Sequence, residues 1–192
     1  MRARTQRELV LLYLPDTGAD DFAGAPLPRL LQSLRISCRQ LTADDFGRTV
    51  AQVFTGAPGV AVTGDDAVPP AAPLMLMQGL ERPRMDKLLQ AMREHDLQVD
   101  LKAVVTPQNQ RWPLCRLAGE IGREHQLMNA YFALQERYKA LRAVSPQPES
   151  WAEPLARAET LLNTRPPEDG AEAHTRLLQQ MADELASLQA GL

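Results

Sequence analysis

Two stretches of this chain, about residues 9–56 and 74–123, spell out the same order of elements: an apolar run, an amphipathic helix, a second apolar run, a turn opened by threonine, and a further helix. A strand-helix-strand order written twice commits the chain to an α/β class, in which each helix must bury one stripe against a sheet. In the first stretch, Leu9-Val10-Leu11-Leu12-Tyr13-Leu14 ends at Pro15-Asp16 and reads as a buried strand. Pro28 at a helix start, with Leu27, Leu30, Leu31 and Leu34, predicts a helix; Ile36–Leu41 predicts a second strand, and Val50, Val53 and Phe54 a short helix ended by Gly56. In the second stretch, Leu74-Met75-Leu76-Met77 is a strand, and Pro83 opens a helix carrying Met85, Leu88, Leu89 and Met92. Val99–Val105 is the fourth strand, and Leu114, Leu117 and Ile121 mark the helix entered through Pro113.

Thr42 and Thr106 fall in equivalent places, and Val50 and Val53 answer to Leu114 and Leu117, so the domain at 9–123 reads as duplicated, with a linker at 57–73. The linker is rich in Gly, Pro, Ala and Asp, and Val60-Ala61-Val62 could add a short edge strand within it. The fold expected is α/β (α+β), an internally repeated β-α-β-α unit. Its sheet is ferredoxin-like with helices on one face, or a similar small, mostly parallel sheet with helices on both. Residues 124–192 carry no strand signal and read as a C-terminal helical extension. Ser150-Trp151-Ala152-Glu153 has the form of a capping box, and Leu177, Leu178, Met181, Leu185 and Leu188 form the apolar stripe of a final helix.

Charge and composition narrow the functional classes. A formal charge of -3 gives no electrostatic footprint for nucleic acid. The acidic excess sits in the tail: residues 124–192 hold 10 acidic and 6 basic side chains, against 14 and 15 before them. An RNA-binding sheet is also disfavoured because strands one and three offer only Tyr13 for stacking. The run Leu9–Leu14 is too short for a membrane span or a signal core, so the expectation is a bacterial cytoplasmic protein with no membrane partner. Cys38 and Cys115 sit beside apolar residues in no metal or redox motif and are expected to be buried free thiols. His95, His125 and His174 lack metal-ligand spacing and are expected to face solvent; no serine stands in a Gly-x-Ser-x-Gly setting. No catalytic residue, metal or cofactor is expected.

Asp44-Asp45-Phe46-Gly47 after the second strand, and Leu101-Lys102-Ala103-Val104-Val105-Thr106-Pro107-Gln108-Asn109 with Trp112 after the fourth, resemble the domain-of-unknown-function 3783 family over about residues 9–123, most sharply over 74–120. The resemblance implies a small bacterial α/β domain and no activity to carry over. It falls on Lys102, Thr106, Pro107, Asn109, Trp112 and Leu117, and Pro113 departs from the small hydroxyl residue more usual there.

Two functional expectations follow. The first is a noncatalytic α/β module whose helical tail self-associates or docks a protein partner through Leu177, Leu178, Met181, Leu185 and Leu188, a stripe that something must cover. The alternative is a sensor or enzyme for a small anionic or amide-bearing ligand, held by Lys102, Thr106, Asn109 and Trp112 at the C-terminal edge of the strands. For the turn residues a structural role, with Trp112 burying its indole beneath the turn, is sufficient on its own.

Overall fold

The computed structural model describes residues 8–57, 67–167 and 170–190. Packing divides the chain into two units, Met1–Gly122 and Arg123–Leu192, with the boundary inside one long helix. The possible edge strand at Val60-Ala61-Val62 lies outside the described residues.

In the first unit the order is β1 (Leu9–Tyr13), α1 (Ala19–Phe22), α2 (Pro26–Ser33), β2 (Ser37–Gln40), α3 (Val50–Thr55), β3 (Leu74–Gln78), α4 (Arg82–Glu94), β4 (Leu101–Val104) and the start of α5 (Leu114–Arg142). Short 3₁₀ turns at Ala43–Gly47 and Asn109–Arg111 follow β2 and β4. One four-stranded sheet forms in the order β2-β1-β3-β4; β1/β2 and β3/β4 are parallel and the central β1/β3 pair is antiparallel. Each strand-helix-strand unit therefore closes on adjacent strands, whereas a ferredoxin-like sheet splits them. Of the two arrangements open to the sequence, this is the one with helices on both faces.

Strand alternation sorts the core into two layers. Val10, Leu12, Met75 and Met77 pack with Leu30 and Leu31 of α2 and Leu88 and Met92 of α4. Leu11, Leu74, Leu76 and Leu101 face the other way, onto Phe46, Val50 and Val53 and onto Leu114 and Leu117 of α5. Because β1 and β3 are covered on both faces, they read as unbroken apolar runs.

The duplication appears as a pseudo-twofold axis. Leu11 pairs with Leu76 at the centre of the antiparallel ladder, and Thr49 bridges Pro113 where the two halves meet again. The Val50 N–H donates to the Trp112 carbonyl (3.0 Å) and the Leu114 N–H to the Arg48 carbonyl (2.8 Å). These bonds are images of each other, since Val50 answers to Leu114 and Arg48 to Trp112. Helices α2 and α4 also end alike. Arg35 (φ 55°) and Asp96 (φ 52°) take the left-handed conformation just past the helix, and the next N–H, of Ile36 or Leu97, reaches back to Leu31 or Met92.

The second unit holds the rest of α5, then α6 (Ala152–Leu162) and α7 (Ala171–Ala190). Its core joins Leu134 and Leu141 of α5 to Trp151, to Leu155 and Ala158 of α6, and to Leu178, Met181, Ala182 and Leu185 of α7. The capping box expected from Ser150 and Glu153 does not form: α6 is entered through a 3₁₀ turn, Glu149–Trp151, with no side-chain cap. Trp151, only 4% exposed, anchors that entry in the core, so burial of the indole sets the helix start where the hydroxyl was expected to. His174, expected to face solvent, is buried on the inner side of α7. Cys38 and Cys115 are free thiols, half-buried where full burial was expected. No described helix is long and apolar enough to cross a membrane.

Candidate functional site

The turn after β4 is built from its own side chains. The Thr106 N–H donates to Asn109 Oδ1 (2.8 Å), the Asn109 N–H to Thr106 Oγ1 (3.2 Å), and Asn109 Nδ2 to the Val104 carbonyl (3.0 Å). Threonine and asparagine thus replace the partners the backbone loses when the strand ends. The first half repeats the device: the Thr42 N–H donates to Asp45 Oδ2 (2.9 Å), and Asp45 Oδ1 also holds Arg48 (3.3 Å). Lys102 shares its sheet face with its register partner Met75, and its ammonium donates to the Val99 carbonyl, toward the start of β4. Lys102 is therefore not brought together with Thr106 and Asn109, whose side chains are already engaged in the turn. Trp112 is half-buried against the α3/α5 layer, and the Arg116 guanidinium lies over its ring at 4.5 Å.

Burial pushes the Cys38 thiol above its ordinary range, toward the unreactive form. No group of three metal-ligating side chains is found among the described residues. A cleft of about 350 Å³ beside α2 is floored by Pro26, Leu30 and Leu97, with Arg29 and His95 at its mouth. The Ser33 hydroxyl beside it donates to the Leu30 carbonyl at 2.7 Å.

The tail stripe divides. Leu178, Met181 and Leu185 are buried and Leu188 half-buried within the second unit, so the chain itself covers four of the five residues expected to meet a partner. Leu177 is the exception, 52% exposed. It stands over a groove of about 510 Å³ between α6 and α7, floored by Ala156, Leu161 and the edge of Met181. Thr160 follows Ala156 one turn along α6, with Thr164 just past the helix end, and small side chains there leave the depression open. Arg157 and Glu184 form an ion pair between the two helices at the rim, with Glu153 nearby. Sequence reading missed the groove, whose signal was the small pair Ala156 and Thr160 one turn apart on α6.

Residues 73–128 match the model of a family described as Domain of unknown function (DUF3783). The match falls on the second repeat and supports the family resemblance there. The match takes in β3, α4, β4, the Thr106–Asn109 turn and the start of α5. Residues 9–72 lie outside it, although their half of the sheet is the twofold image of the DUF3783 half. No curated protein and no solved structure matches the chain.

Proposed function

We propose that the protein is a noncatalytic binding module, in which the repeated α/β unit is a rigid scaffold and the helical extension docks a protein partner. The observation that carries this reading is Leu177, half-exposed over an apolar groove while its neighbours along the stripe are committed to the core. Binding sites are typically concave and lined mostly by apolar side chains, the form this groove takes. The sensor or enzyme alternative is given less weight here, because Lys102, Thr106 and Asn109 each bond to nearby backbone. The free thiols and the acidic charge suit a bacterial cytoplasm.

The test is a photo-reactive amino acid placed in the full chain, in the native cell, at position 160, 177 or 180 on the groove, with Lys87 and Lys139 as exposed controls. The reading expects one adduct shared by the groove positions and absent from the controls. Adducts spread evenly, or none at the groove, would remove the docking role.

A further inference from the structure

We infer that the cleft between the start of α2 and the end of α4 binds a small amphiphilic carboxylate, its head on Arg29 and His95 and its hydrocarbon body on Pro26, Leu30 and Leu97. This goes beyond the docking reading and does not depend on it. Helices α2 and α4 are images of each other, yet α4 has 13 residues and α2 has 8. The extra first turn of α4 carries Arg84, which reaches the Arg35 carbonyl past the end of α2 (3.4 Å) and pairs with Glu8. At the opposite end α2 lacks that turn, and the matching space beyond His95 is the cleft, about 350 Å³. That volume is at the small-molecule end of the range for ligand pockets.

Charge selects the ligand. Arg29 and His95 are the ionisable side chains of the lining, and among the described residues no carboxylate pairs with Arg29. The acids beside His95 in sequence, Glu94 and Asp96, are not part of the wall, and Glu94 accepts a hydrogen bond from Gln90 Nε2 (2.8 Å). The Ser33 hydroxyl has given its proton to the Leu30 carbonyl (2.7 Å), so the guanidinium and the imidazole supply the donors. A planar guanidinium fork matches the two oxygens of a carboxylate. A phosphate, which calls for more donors, is poorly served, because Pro26 and Pro28 remove two of the N–H groups that the first turn of α2 would otherwise offer. The apolar floor adds binding only to an anion that carries a hydrocarbon body.

The experiment titrates the full chain with hexanoate, hexanol, acetate and hexyl phosphate, followed by two-dimensional amide NMR. Hexanoate is expected to shift the amides of α2 and of residues 95–97 saturably. It should bind about tenfold tighter or more than hexanol, which lacks the charge, and than acetate, which lacks the body. Arg29→Gln is expected to bring hexanoate down to the affinity of hexanol while hexanol itself is unchanged, a split that general loss of structure would not give. Ser33→Phe, which fills the cleft without changing charge, is expected to lose hexanoate and hexanol alike, with the amide pattern elsewhere preserved. Equal binding of hexanoate and hexanol, hexanoate binding undiminished in Arg29→Gln, or shifts scattered over the surface would overturn the inference. The absence of any saturable shift at millimolar hexanoate would overturn it too, and tighter binding of hexyl phosphate than of hexanoate would overturn the carboxylate assignment.

Discussion

At the scale of single residues, the aromatic that holds the turn region together is Phe46. It is fully buried, with its ring edge-on to Tyr13 at 5.0 Å, whereas Trp112 is half-buried and shared with Arg116. Phe46→Ala should cost about 3–5 kcal/mol, the usual range for a buried aromatic, and Trp112→Ala distinctly less; urea titrations of the two variants measure both. The sequence alone pointed to Trp112, because a large indole beside a turn reads as an anchor and nothing in the letters says how much of it stays outside. A second residue-scale prediction concerns pH. Arg84 grips the Glu8 carboxylate with two hydrogen bonds (2.9 and 3.2 Å), and those bonds hold the carboxyl below its ordinary range. A lowered folded-state pKa stabilises above the unfolded value and is lost as pH falls through the folded one. The melting temperature of the wild type should therefore exceed that of Glu8→Gln at pH 7, and the gap should close on acidification below the ordinary carboxylate range. A gap constant with pH would show that the ion pair is not its source.

At the scale of elements, helices α2 and α4 end on a left-handed residue that is not glycine, Arg35 and Asp96. Side chains with a Cβ are strained there, so Arg35→Gly should raise stability by about 1 kcal/mol, read as a shift of the urea midpoint. No change would mean that the Arg35 side chain contributes as much as its backbone costs. This ending explains part of what was legible. Apolar spacing placed the four strands and the longer helices near their observed positions, because each must bury one face, and missed the short α1, which buries none. The helix ends were hidden because their stop signal is normally glycine. The Ser150–Glu153 box misled because Trp151, between its members, goes to the core. The arrangement of the candidate site residues was hidden for a similar reason. Lys102, Thr106 and Asn109 are close in sequence, but strand alternation and the direction of the lysine stem decide where their polar ends go, and neither is written in spacing.

At the scale of the whole chain, a duplicated sheet, of which one half matches the DUF3783 family model, is joined in sequence to a helical unit with its own core. The central claim is that the final helix is divided, with Leu178 belonging to that core and Leu177 left for a partner. Two adjacent residues of one type, on one helix, are thereby given opposite roles. The most direct test is chemical denaturation of the full chain carrying Leu177→Asp or Leu178→Asp, followed by far-ultraviolet circular dichroism. Leu178→Asp should destabilise the helical unit by more than about 3 kcal/mol, since it buries an unpaired charge in place of a core side chain. Leu177→Asp should stay within about 0.5 kcal/mol of wild type, as surface substitutions do. Equal losses from the two would contradict the account, because Leu177 would then be a core residue and the groove beneath it no docking site.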